Sequence, residues 1–181
     1  MEDKTRKVLV KNRSTAVIVI KIPNRNIRVV LQPGQTVSNL TFADLEEYSY
    51  QPGGDKMLRE YLQLAEAEVE DLHLGEPPLE YNFSEQDVKD LLTTGSLDAF
   101  LDCLDFAPVG VIDLVKKYAV DLPLTDTTKL EALKEKTGFN AAAALQHVRE
   151  EKEDGGEEEA PKPTRRVVTK TPGRRVVTPS K

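Results

Sequence analysis

Few side chains in this 181-residue sequence are of the types that perform covalent chemistry. There is one cysteine, Cys103, and there are two histidines, His73 and His147. A Cys103–His147 pair would be a thiolate nucleophile with its base. Such a thiol needs an electropositive, partly open setting that lowers its pKa. Cys103 instead falls beside the apolar stripe Leu97, Phe100, Leu101 and Leu104, where a small buried thiol is ordinary. His73 reads as a loop residue and His147 as a solvent-facing or partly packed helix residue. The histidines and the single thiol do not supply four zinc ligands at a recognisable spacing. The carboxylates Asp98, Asp102 and Asp105 form a second cluster, the first two at i and i+4 on one helix face. An acid–base pair needs one carboxylate desolvated and raised in pKa. These acids alternate with the apolar stripe and read as its solvated side. They also lack the glycine and the spacing of a calcium loop. No GxGxxG or GxxxxGK run marks a phosphate-binding loop. The expectation is a protein with no enzymatic activity, no cofactor and no metal.

Charge is the more informative chemistry. Residues 150–159 (EEKEDGGEEE) carry seven acids and one lysine, net −6, and residues 160–181 carry seven Lys and Arg and no acid, net +7. Residues 1–149 then carry −7 of the overall −6, a mildly acidic body that argues against a broad nucleic-acid face on it. The basic end contains a short repeat. Arg165-Arg166-Val167-Val168-Thr169 returns nine residues on as Arg174-Arg175-Val176-Val177-Thr178. With Lys162, Lys170 and Lys181, the four arginines would neutralise several phosphates in a sequence-independent, salt-sensitive way. Each Arg-Val-Val-Thr copy is also a good donor strand for the edge of a partner's sheet. The bland alternative is a solubilising tail that pairs loosely with its own acidic run. All eleven candidate binding residues, the cations together with Val167, Val168, Val176 and Val177, lie in this tail.

The elements that would carry these residues are legible from periodicity. Residues 7–40 read as four short strands: Val8–Val10, Ala16–Ile22, Ile27–Leu31 and Thr36–Leu40. Gln32-Pro33-Gly34-Gln35 between the last two has Pro and Gly where a type II turn needs them. Tight turns throughout suggest an antiparallel meander or a small sandwich-like sheet. At Thr41 the period changes. Thr41 and Asp44 resemble a capping box for a helix over Phe42–Tyr48, and Asp55 can cap another through about Glu66. Residues 67–82 read as a loop around Gly75 and Pro77-Pro78. Ser84 with Asp87 starts a helix that Gly95 would end in the left-handed conformation. Further helices follow from Ser96, from Pro108, from Thr125 or Asp126 up to Gly138, and from Asn140 to about Arg149. The last two outline a helix–turn–helix, but the second offers alanines, Gln146 and His147 rather than a base-reading set. After Glu150 low hydrophobicity, Pro, Gly and charge runs leave nothing to offset the entropy of ordering.

The expected fold is α+β: a small antiparallel sheet (1–41), helices and a loop (42–82), a helical bundle (83–150) and a disordered tail (151–181). At 39% hydrophobic and 31% charged, without tryptophan, the chain must build its core from Leu, Val and Ile. No window is apolar for long enough to span a bilayer, and the N-terminus lacks the apolar stretch of a secretory signal. One cysteine suits a reducing compartment.

Three stretches carry a resemblance. They are Tyr50-Gln51-Pro52-Gly53-Gly54, the block from Gly95-Ser96-Leu97-Asp98-Ala99-Phe100 through Leu122-Pro123-Leu124, and Glu135-Lys136-Thr137-Gly138-Phe139-Asn140. Together they resemble a group of small uncharacterised proteins of tailed bacteriophages and prophages of Gram-positive bacteria, over about residues 7–149. The resemblance carries no catalytic motif. It implies a virion-associated or host-interaction protein, located in the virion or the host cytoplasm. The expected partners are other virion or phage proteins, nucleic acid through the tail, or further copies of the chain. The alternative expectation is a phage regulatory protein that engages a host nucleic-acid or transcription complex through that tail.

Overall fold

The computed structural model describes residues 4–154 and has the expected α+β architecture. Strands β1 (Lys7–Asn12), β2 (Ile18–Ile22), β3 (Ile27–Leu31) and β4 (Thr36–Thr41) form from the β-branched runs. Side chains alternate across a strand. In β2, Ile18, Ile20 and Ile22 therefore turn inward while Val19 and Lys21 face out. Gly34 has φ +73° and Gln35 N–H donates to the Gln32 carbonyl at 3.0 Å, as a type II turn requires.

The pairing is not a meander. β1 pairs antiparallel with β4, and β2 with β3, so the β2–β3 hairpin is inserted between two partners of the other sheet. The cause lies in Asn12-Arg13-Ser14, which has turn composition but is buried. The Asn12 side chain accepts from the Ser14 N–H and hydroxyl at 2.9 Å and donates to the Ala16 and Leu31 carbonyls at 2.8 and 3.1 Å. Those bonds steer the chain out of the first sheet instead of folding it straight back.

A fifth strand comes from a segment expected to be helical. Helix α1 (Phe42–Ser49) opens on the full capping box of Thr41 and Asp44. Helix α2 (Gly54–Lys56) starts from Gly53, with no side-chain cap, and runs into one wide π-helical turn over Met57–Tyr61. The helix expected to reach Glu66 stops there. Leu62–Gln63 become β5 and pair with Lys11 and Asn12 of β1. Leu62 and Leu64 are both buried, a spacing of two that suits a strand. The expected loop also contains helix α3 (Glu66–Asp71) and sends Val69, Leu72, Leu74 and Tyr81 into the core. A single apolar cluster thus runs from Val8 to Tyr81.

The second cluster, from Val88 to Ala141, belongs to five helices. These are α4 (Glu85–Thr93), α5 (Leu97–Phe106), α6 (Val109–Asp121), α7 (Thr127–Thr137) and α8 (Ala141–Asp154). Nine residues are too few for a stable isolated helix. α4 instead gains from burying Val88, Leu91 and Leu92, each contributing about 1.5–3 kcal/mol over exposure. Ser84, Ser96, Asp126 and Asn140 cap the following helices as expected. Gly138 closes α7 at φ +72°. Gly95 is a correction, since it is not among the glycines at positive φ. A Cβ there would lie 2.6 Å from the Leu91 carbonyl oxygen, so close approach, not handedness, requires glycine. α8 extends to Asp154, past the end expected at Arg149 and into the segment assigned to the tail.

Two buried cations join the parts. Lys129 of α7 donates to the carbonyls of Leu91, Leu92 and Gly95 at 2.9, 3.2 and 2.7 Å, so it caps the C-terminal end of α4. Positive charge is favourable at that end of a helix. Arg13 donates to the carbonyls of Tyr81 and Leu62 at 2.7 and 2.8 Å, its guanidinium 4.0 Å from the Tyr81 ring centre. Burial pulls its pKa down, against the opposing pull of Tyr81 and Glu60. The Arg13 stem lies on Gly110 of α6, where a Cβ would be 2.7 Å from Arg13 Cγ. Beside it Val109 N–H donates to Glu60 Oε2 at 3.1 Å. Arg13, Glu60 and Gly110 therefore form the seam between the two apolar clusters.

Candidate binding surfaces

The residues considered for chemistry are not brought together as a reactive set. Cys103 is fully buried, and desolvation, helped by the charge of Glu80, pushes its thiol up to about 12. A thiol so placed is protonated at neutral pH and is a poor nucleophile. The His147 side chain is 78% exposed and lies 3.8 Å from Glu150, a setting that gives a buried thiol no base. His73 is exposed, in a left-handed turn at φ 55°. Asp98, Asp102 and Asp105 are all exposed, as the solvated side of α5. Asp105 is held by Lys136 at 2.6 Å. Among the described residues no group of three or more His, Cys, Asp and Glu is placed to hold a metal ion. The tail candidates, Lys162, Arg165, Arg166, Val167, Val168, Lys170, Arg174, Arg175, Val176, Val177 and Lys181, lie outside the described residues.

Two surfaces went unnoticed in the sequence. The first is basic. Averaging charge over residues 1–149 conceals that residues 4–41 hold eight Lys and Arg and no acid. Residues 42–149 carry −13. A charge count in windows of about forty residues would have found this, and positive charge is not confined to the last 22 residues. Some of these cations are taken up by the fold. Lys4 pairs with Glu46, Arg6 with Asp71, and Arg25 with both Asp44 and Glu47, while Arg13 is buried. Asp44 shows the effect of this pairing. Burial alone would raise its pKa, but the Thr41 hydroxyl and N–H, with Arg25, bring it below the usual carboxylate range. Lys7, Lys11, Lys21 and Arg28 make no ion pair among the described residues. Lys21 and Arg28 stand directly opposite on the outer face of the β2–β3 hairpin, an unfavourable pairing of like charges. Val19 and Val30 stand opposite each other beside them, 36% and 39% exposed.

The second surface is an acidic groove with an apolar floor, of about 440 Å³, between residues 79–83 and α4. Leu79, Phe83 and Leu91 provide apolar surface, Glu80, Asp87 and Asp90 provide acids, and neither Lys nor Arg lines it. Leu79 is 80% exposed, a large apolar side chain standing in water. Hydrogen bonds from the Ser84 hydroxyl and N–H hold the Asp87 carboxyl below its ordinary pKa. A second hollow of similar volume also borders Leu79, and unlike the first it is lined by an arginine, Arg59. There Glu60 bonds Val109 N–H and Asp105 pairs with Lys136.

No family model, no curated protein and no solved structure matches this chain. Among the described residues no helix is long and apolar enough to cross a membrane.

Proposed function

We propose that this protein is a non-enzymatic docking component of a tailed bacteriophage, associated with the virion and acting through protein–protein contacts. The observation that carries the reading is the partition of charge, with eight cations and no acid in residues 4–41 against −13 in residues 42–149. Such a partition steers and orients association and suppresses wrong registers. It suits a protein that meets its neighbours, other virion proteins or copies of itself, in one orientation. The hairpin face with Val19, Val30, Lys21 and Arg28 is the natural contact for an acidic, partly apolar partner. The tail, through Lys162, Arg165, Arg166, Lys170, Arg174, Arg175 and Lys181, would then reach a neighbouring subunit or packaged nucleic acid. Peptides of this protein should appear at multiple copies per particle in mass spectra of purified virions. Their absence from particles that still assemble sinks the reading.

One observation favours a second reading, a phage regulatory protein acting on a host nucleic-acid or transcription complex. Lys7, Lys11, Lys21 and Arg28 are cations on strands that make no ion pair among the described residues. If they bind phosphates, duplex affinity at low salt should fall on Lys21→Ser with Arg28→Ser. It should fall further on deleting 160–181, with a shallower salt dependence each time. No binding at low salt by the full chain removes this reading.

A further inference from the structure

We propose that the apolar groove beside Leu79 is the intramolecular docking site of the chain's own Arg-Arg-Val-Val-Thr segments. The chemistry of groove and segment is complementary. Each segment offers two arginines followed by two valines. The groove offers the carboxylates of Glu80, Asp87 and Asp90 around Leu79, Phe83 and Leu91, with Asp87 Oδ2 already accepting from Ser84 and Asp90 Oδ1 from Gln86. A carboxylate can take a bidentate pair of hydrogen bonds from one guanidinium. The valines would cover the apolar surface that Leu79 now exposes to water.

Tethering favours the same chain over another molecule. α4, which lines the groove, and α8, which leads into the tail, both pack against α6. Arg165 is eleven residues beyond Asp154, a span of up to about 36 Å when extended, and Arg174 is twenty beyond, up to about 66 Å. A body of this length has a radius of gyration of about 15 Å. The first copy therefore reaches any site near the end of α8, and the second reaches nearly all of the surface. A short tether gives an effective concentration in the millimolar range, enough to fill a site of modest affinity. Two copies nine residues apart raise the chance that one is seated. A seated tail is withheld from outside partners, so docking sets a threshold that a partner or added salt must overcome.

The test uses the full chain, labelled with nitrogen-15, and a variant with Arg165→Ser, Arg166→Ser, Arg174→Ser and Arg175→Ser. Outside the tail itself, amide shifts should differ at residues 79–83 and 87–95. The differences should persist unchanged on tenfold dilution and collapse at about 0.5 M salt, where screening is short-ranged. Glu80→Lys with Asp90→Lys, both at accessible positions, should reproduce the spectrum of the undocked tail. If that pair of changes disturbs the fold, the four-arginine variant decides alone, because its changes lie outside residues 4–154. Spectra identical outside the tail overturn the proposal. So do differences centred on the β2–β3 hairpin, or differences that grow with protein concentration.

Discussion

Replacing Lys129 with methionine tests whether one buried ammonium holds α7 onto α4. Its Nζ donates to three carbonyls within 3.2 Å, those of Leu91, Leu92 and Gly95. A hydrogen bond to a charged group contributes about 1.5–3 kcal/mol, so the gross loss is several kcal/mol. Two effects offset it. Methionine keeps the apolar stem packed, and removing a buried ammonium relieves a desolvation cost that is itself several kcal/mol. What remains is the cost of carbonyls without donors at a helix end, and we expect a net destabilisation of about 2–4 kcal/mol. For a chain of this size each kcal/mol moves the midpoint by about 2–4 °C. The thermal midpoint should then fall by about 4–16 °C, with helical content otherwise kept. Urea unfolding followed by circular dichroism gives the free-energy difference directly. A loss under about 0.5 kcal/mol would mean that water satisfies those carbonyls as well as Lys129 does, and the capping argument would fail.

Three further outcomes are expected. Gly110→Val should destabilise by about 2–3 kcal/mol, because its Cβ meets Arg13 Cγ and the Glu60 carbonyl and valine adds bulk. Gly110→Ala should cost less, since alanine regains about 1 kcal/mol of helix propensity. Equal stability of all three proteins would refute the seam. Ser84→Ala should cost about 1 kcal/mol at neutral pH. Asp87 has a folded pKa below its unfolded value of about 3.9, so its contribution is present above that pH and lost as pH falls through the folded value. The difference between wild type and Ser84→Ala, measured in urea, should shrink between pH 5 and pH 2. Cys103 should react with a disulfide reagent only on unfolding, and rapid native labelling at pH 7.5 would contradict its burial. Its thiol, at about 12 when folded, adds stability below the unfolded value of about 8.5 that is lost as pH rises towards 12.

Features encoded by neighbours in sequence were legible. The capping boxes Thr41–Asp44 and Ser84–Asp87, the turn at Pro33-Gly34 and the α5–α6 stripes are local patterns, and each formed where its residues predict. What was hidden depends on distant partners. Leu62 and Gln63 fit a helix until β1 offers them a free edge. Asn12-Arg13-Ser14 looks like surface turn chemistry until the carbonyls of Leu31, Leu62 and Tyr81 arrive to satisfy it. Lys129 has the composition of a solvated helix face, and only the carbonyls at the end of α4 give it a buried role. The groove beside Leu79 joins a loop to a helix, so no single periodic segment announces it.

The inserted β2–β3 hairpin also bears on the order of events during folding. β1 is bracketed by strands well separated from it in sequence, with Lys7 opposite Thr41 and Lys11 opposite Gln63. Contacts over such sequence separations form slowly, because a long loop must close before they stabilise anything. The hairpin closes over only a few residues, Ile22 meeting Ile27. On a ribosome β1 therefore waits for residues 36–41, and then for 62–63, before both of its edges are paired. In the interval Val8 and Val10 have no covering partner, so the N-terminal sheet is where a slow or crowded synthesis would expose the chain to misassociation.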